Sequence, residues 1–197
     1  MQQCGNAPRL LVWDAMGEWS EKCRLTRVYT IAQLHKLVIA DIRKGGRFRV
    51  GYVGPISAEH FEAFCKLAWV WLRAHMGALV VEELSDVTNP SKAPPAWGEI
   101  VRKGRHVGAQ VYAITQRPSE SDKTIVGNAA LIHTGLMAFA RDREYMARCL
   151  DIPVSDMAAL PRLAWIERDM RSLELRRGVV TFAKQRKTPT ASAAKPA

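Results

Sequence analysis

Glu82 and Glu83 are adjacent carboxylates that directly follow the apolar run Ala78-Leu79-Val80-Val81. One acid of such a pair can orient a magnesium ion through water while its neighbour polarises an attacking water, the two tasks that hydrolysis of a magnesium nucleotide sets. Asp14 closes a second apolar run, Arg9-Leu10-Leu11-Val12-Trp13. Gln116 closes a third, Gln110-Val111-Tyr112-Ala113-Ile114-Thr115, where a polar amide can sense a γ-phosphate or position water. If these runs are neighbouring strands of an open parallel sheet, ligands bind outside their carboxyl ends and the four side chains converge there. The plainer reading of Glu82 and Glu83 is a pair of solvated acids at the end of a short hydrophobic strand.

The rest of the chain supplies the elements that must hold these residues. Thr30 is placed to cap a helix over 31–44, with Ile31, Leu34, Leu37, Val38 and Ile42 at helical spacing and Gly45-Gly46 as its stop. A strand over 48–53 follows, then a Ser57-capped helix to 76 with an apolar stripe of Phe61, Phe64, Leu67, Ala68 and Leu72, closed by Gly77. A Pro- and Ser-rich loop spans 89–95, a basic helix 97–106, a helix 121–129, a strand 131–139 and a helix 142–150. A hairpin over 163–168 and 173–182 turns around 170–172. Strands alternating with helices predict an α/β fold with a mostly parallel sheet covered on both faces. The length suits one domain, 1–183, followed by a basic tail over 184–197 that is expected to be disordered.

Charge narrows the partners. The 29 basic and 19 acidic residues give a net charge of +10 and a pI near 9.8, which favours a polyanion and nucleic acid first among polyanions. Only four of the surplus charges, Lys184, Arg186, Lys187 and Lys195, fall in the tail, so most of the excess belongs to the core. Cys4, Cys23, Cys65 and Cys149 are widely spaced without a C-x-x-C pair, which suggests reduced thiols, with neither a zinc site nor a disulfide framework. The longest apolar stretch, 64–72, is broken by Lys66 and too short for a bilayer, and the first residues lack a signal-peptide pattern. A cytoplasmic protein is expected.

The stretch 104–119, Gly-Arg-His-Val-Gly-Ala-Gln-Val-Tyr-Ala-Ile-Thr-Gln-Arg-Pro-Ser, resembles the FtsK/HerA superfamily of DNA-translocating P-loop ATPases, in which a basic R-x-x-G-R helix leads into a strand ending in T-Q-R-P-S. Asp14-Ala-Met-Gly-Glu18 is similar to the family's D-x-x-G-E, Val80-Val-Glu-Glu83 to its Walker B strand, and 122–128 continues the match, so the resemblance spans about 9–150 in family order. It implies a RecA-like core binding ATP and Mg2+, with Asp14 and Gln116 at the nucleotide, Glu82 as the metal-orienting acid, Glu83 as the catalytic base and Gln116 as the γ-phosphate sensor. Arg102 or Arg105 is implied as an arginine finger reaching a neighbouring subunit; a solvated basic face or a contact to DNA phosphates accounts for the same arginines. Glu82 stands where most members carry aspartate, a departure that resembles the viral, tectivirus-type genome-packaging members. The resemblance thus implies a packaging motor on double-stranded DNA, a homo-hexamer with viral capsid vertex proteins as partners, in the bacterial cytoplasm or on the virion.

No G-x-x-x-x-G-K-[ST] loop occurs in the sequence, and neither Gly45-Gly46 nor Gly51-x-x-Gly54 substitutes for one. In the superfamily that loop and its helix precede the strand that 9–14 resembles. The expectation is therefore that Met1 is an internal methionine of a longer protein, that the loop's lysine lies roughly ten residues upstream, and that the sheet lacks its central strand. Two rivals stand beside the motor: a non-hydrolysing DNA-binding or assembly relative without a phosphate loop, and a metal-dependent nuclease using Asp14, Glu82 and Glu83.

Overall fold

A computed structural model describes residues 4–181; Phe182, at the end of the expected hairpin, and the basic tail over 184–197 lie outside the described residues. Five short strands, β1 (Arg9–Trp13), β2 (Thr26–Val28), β3 (Phe48–Tyr52), β4 (Ala78–Val81) and β5 (Gln110–Ala113), form a sheet in the order β2-β3-β1-β4-β5. Every neighbouring pair is parallel. Where the sequence led to the expectation of a sheet without its central strand, the described strands pair without a gap and β1 stands in the middle. A further parallel strand has only the outer edges of β2 and β5 to join.

The two faces of this sheet are unequally covered. Alternate strand residues Leu11, Trp13, Val50, Tyr52, Leu79 and Val81 face α2 (Ile31–Lys44), α3 (Ala58–Ala74) and α4 (Pro95–Lys103), and with them form the main core. Trp13 stacks on Tyr52 at 4.9 Å and meets the edges of Phe61 and Phe64 at 5.2 Å, so the aromatics of α3 are core, as the apolar stripe predicts. The other face is closed by a smaller cluster of Leu10, Val12, Ala78 and Val80 under Trp19 of the short α1 (Glu18–Lys22), Leu25 and Cys4. Cys4–Asn6 form a turn, closed by the Ala7 N–H donating to the Cys4 carbonyl.

Local signals set these helices. Thr30 and Gln33 form a reciprocal capping box at the start of α2, and the Ser57 hydroxyl accepts the His60 N–H at the start of α3. Arg9 and the Trp71 indole both donate to the buried carboxylate of Asp41, at 2.5 and 2.9 Å, which pins β1 to α2 and α3. α4 begins at Pro95, two residues before the expected start, because proline suits the first helical turn. It ends at Lys103 and continues as a 3-10 turn, Gly104–Val107.

The second half carries the expected C-terminal hairpin and departs from expectation at the strand over 131–139. β6 (Leu131–Gly135) leaves the parallel sheet and pairs antiparallel with β7 (Ala164–Asp169), which pairs antiparallel with β8 (Leu175–Val179). This three-stranded sheet packs on α6 (Ala140–Leu150) and α7 (Val154–Ala158) around Ile132, Met146, Leu150, Met157 and Ile166, with Val126 of α5 (Lys123–Asn128) at its margin. Asp122 caps α5 through its carboxylate, which also accepts the Trp97 indole N–H at 3.1 Å and so ties this layer to α4. Among the described residues no helix is long and apolar enough to cross a membrane.

Candidate active site

Asp14, Glu82, Glu83 and Gln116 all lie at the carboxyl ends of β1, β4 and β5, and each occupies a different environment. Asp14 is fully buried, and its two oxygens accept the backbone N–H groups of Trp19 and Ser20 at 3.2 and 2.7 Å. The carboxylate therefore caps α1, whose preceding residue Gly17 has φ 74° and no side chain with which to cap. The helix comes so close to β3 that a Cβ on Gly51 would lie 2.2 Å from the Ser20 hydroxyl. Asp14 contributes its negative charge to the site while each of its oxygens accepts a backbone N–H of α1.

Glu82 is next to it. Its N–H donates to the Trp13 carbonyl at 3.1 Å, carrying the β1–β4 pairing one residue past the strands. One carboxylate oxygen, Oε2, is buried without a hydrogen-bond partner among the described residues. Burial, then the charge of Asp14, push the Glu82 carboxyl above the ordinary carboxylate range, against the Met16 N–H that favours the anion. A native state that holds its proton more tightly than the unfolded chain loses stability as pH rises from the ordinary value of 4.5 through the raised one. Glu82→Gln is thus expected to raise Tm at pH 7 in metal-free buffer, with the gain vanishing below pH 4.5. A lower Tm for the variant at pH 7 would mean that the carboxylate already has a stabilising partner.

Glu83 and Gln116 meet directly. The Gln116 side-chain amide donates to Glu83 Oε1 at 3.1 Å across the ends of two adjacent parallel strands. The Glu83 backbone is in the left-handed region at φ 49°, a strained setting for a non-glycine residue, and it turns the chain out of β4 into a 3-10 turn at Leu84–Asp86. The Leu84 N–H donates to the Ile114 carbonyl and the Ile114 N–H to the Val81 carbonyl, both at 2.9 Å, so the two strand ends are locked in register. Thr115 fixes the loop beyond: its hydroxyl donates to Ser85 at 3.2 Å and accepts the Arg117 N–H and the Ser121 hydroxyl at 3.1 Å.

The two candidate finger arginines are elsewhere. α4 runs back along the sheet, so Arg102 in its last turn and Arg105 in the 3-10 turn come to the amino end of β5, where both are exposed. A four-residue strand separates that end from Gln116's end by roughly 13 Å. Within one subunit neither arginine joins the Glu83–Gln116 pair.

No protein-family model matches the chain. Over 160 residues it is 38% identical to Protein P9 of Pseudoalteromonas phage PM2, an alignment that covers 79% of this chain and 69% of P9. The chain belongs to the P9 family. Among solved structures, the genome packaging NTPase B204 of Sulfolobus turreted icosahedral virus 2 superposes with a TM-score of 0.67 in complex with AMPPCP, at 13% identity, covering 88% of this chain and 83% of B204. The sulfate complex gives a TM-score of 0.68 at 14% identity, over 88% and 82% of the two chains. The DNA-packaging ATPase B204 of Sulfolobus Turreted Icosahedral Virus gives 0.56 at 14% identity, over 87% and 97%. The P9-family chain thus has the fold of the viral genome-packaging NTPases.

Two further residues of this P9-family site escaped the sequence. The Arg117 guanidinium donates to the buried Asp142 at 2.9 Å, pairs with Glu120 and lies 4.2 Å from the Phe139 ring centroid. The Ser119 N–H donates to the other Asp142 oxygen at 2.9 Å. Asp142 therefore holds the loop that follows Gln116 against α6. The T-Q-R-P-S run marks Arg117 as part of a motif, but nothing local to Asp142 distinguishes it from an ordinary acid in the first turn of a helix.

Proposed function

We propose that this P9-family chain is the ATPase core of a genome-packaging motor of the FtsK/HerA type, moving double-stranded viral DNA at the expense of Mg-ATP. The observation that carries the reading is the Gln116–Glu83 hydrogen bond at the carboxyl ends of β5 and β4, beside the half-buried Glu82. Glu83 is set to take the proton of an attacking water, and Gln116, already bonded to it, orients that water and reports the γ-phosphate. The partnerless Oε2 of Glu82 suits a water of a hydrated magnesium ion, and its place beside Asp14 concentrates negative charge there. When bound, magnesium supplies charge neutralisation at the transferred phosphoryl group. The names of the B204 structures, with AMPPCP, ATP-gammaS and AMP as ligands, support nucleotide binding at such a fold.

Arg102 and Arg105, remote from their own Glu83, are disposed to reach a neighbouring subunit, which favours a homo-hexameric ring. Capsid vertex proteins are the partners such a ring would meet, in the host cytoplasm or on the virion. These 197 residues contain no G-x-x-x-x-G-K-[ST] loop, and a second reading, a non-hydrolysing DNA-binding or assembly relative, applies if no such loop serves the site. The two part on ATP turnover by the full natural protein, measured with and without duplex DNA. Turnover that rises with DNA supports the motor, and DNA binding with no turnover supports the relative.

A further inference from the structure

We propose that the amino end of the sheet docks the phosphodiester backbone of double-stranded DNA, in the cleft between Arg24 and Arg47. The inference rests on the reading of DNA as the partner and assigns it a surface. A cleft of about 650 Å³ opens there, lined by Gly5, Asn6, Lys22, Cys23, Arg24, Arg47 and Arg49. Four of these seven residues are cations and none is an acid.

The cations differ in how free they are. Arg49 is the fixed floor: its guanidinium donates to the carbonyls of Ala7, Gly5 and Cys23 at 2.6, 2.8 and 2.6 Å, and it has no carboxylate partner among the described residues. Its charge is therefore held in place and left uncompensated. Lys22 is ion-paired with Glu18 on the same helix. Arg24 and Arg47 are exposed, and among the described residues their side chains make no hydrogen bond or ion pair. Arg24 is turned out of α1's end by a left-handed backbone at φ 53°. A second hollow of about 280 Å³ shares Arg47 and Arg49 and adds Lys44. Its one acid, Asp41, is already engaged by Arg9 and Trp71. The two hollows share Arg47 and Arg49, and together this basic furrow also carries Lys22, Arg24 and Lys44.

Its shape and position suit a polymer. Cations spread over two adjoining hollows match successive phosphates better than a single small anion. The acids Asp14, Glu82 and Glu83 are gathered at the opposite, carboxyl end, away from the furrow. Within one subunit the chemistry and the DNA thus lie at opposite ends of the sheet.

The test is fluorescence anisotropy of a labelled duplex of about 30 base pairs bound by the full natural protein and by the double variant Arg24→Ala/Arg47→Ala, across a salt series. The variant is expected to bind about tenfold or more weakly near 0.1 M salt, with the slope of log K against log salt reduced by about 1.8, close to 0.9 for each phosphate that is no longer neutralised. The charge-keeping variant Arg24→Lys/Arg47→Lys should retain most of the wild-type slope, which separates a missing charge from a disturbed fold. Unchanged affinity and slope in the alanine variant, with the wild type binding DNA, would overturn the furrow alone. Failure of the wild-type protein to bind the duplex would overturn both the furrow and the DNA-motor reading.

Discussion

Glu83→Gln is expected to lower ATP turnover by about a hundredfold or more, the usual worth of a positioned general base, while leaving nucleotide affinity within a few-fold of wild type. The substitution keeps the size and one acceptor oxygen of the side chain, so the hydrogen bond from Gln116 at 3.1 Å can persist. What it removes is the ability to take a proton from water. The left-handed backbone at Glu83 is indifferent to the change, because the strain belongs to any residue with a Cβ at φ 49°. Single-turnover hydrolysis, with nucleotide binding by equilibrium titration, separates the two quantities. Loss of binding along with turnover would mean that Glu83 holds the nucleotide instead of acting on water.

The second large effect is expected at Arg117, which ties the loop after Gln116 to Asp142. Arg117→Ala strips the buried Asp142 of its only cation among the described residues and leaves an exposed loop to hold Gln116. Because Arg117 is itself about one-third exposed at 32%, the cost falls below that of breaking a fully buried pair, at about 2–3 kcal/mol. That corresponds to a fall in Tm of roughly 5–10 °C for a domain of this size. Burial raises the Asp142 carboxyl, but the hydrogen bonds from Ser119 and Arg117 outweigh it and the net direction is down from 3.8. A carboxyl lowered in the folded state contributes stability above its ordinary value and loses it as pH falls through the folded one. The gap between wild type and Arg117→Ala should therefore be full at neutral pH and close below pH 3.8. Arg117→Lys should recover part of the stability but less of the turnover, since a point charge cannot lie flat on Phe139 and bond Asp142 at once. A Tm gap that does not change with pH would assign Arg117 to packing alone.

What the sequence made legible follows from where local rules suffice. Thr30, Ser57 and the Gly45-Gly46 stop are local signals, and α2 begins and ends as they require. The meeting of Glu83 and Gln116 was also legible, because it needs only two apolar runs to be parallel neighbours. β2 was not: Thr26–Val28 is three residues long with two of them exposed, too short for any period. β6 could be seen as a strand but not assigned to a sheet. Its alternation of exposed Leu131 and His133 with buried Ile132 and Thr134 is that of a sheet half open to solvent, unlike the fully buried β4. The engagement of Asp14 was hidden for another reason: α1 has five residues, and its capping acid sits before a left-handed Gly17 that no spacing rule anticipates. Arg102 and Arg105 stand at the amino end of the sheet because a helix between parallel strands must run back along them.

The most direct measurement of whether the Glu83–Gln116 pair drives a motor is ATP turnover by the full natural protein as duplex DNA is titrated in. Magnesium-dependent hydrolysis that DNA stimulates and that Glu83→Gln removes is the predicted result. DNA binding with no turnover at any DNA concentration would contradict it and leave a DNA-binding relative that has kept the packaging-NTPase fold without its chemistry.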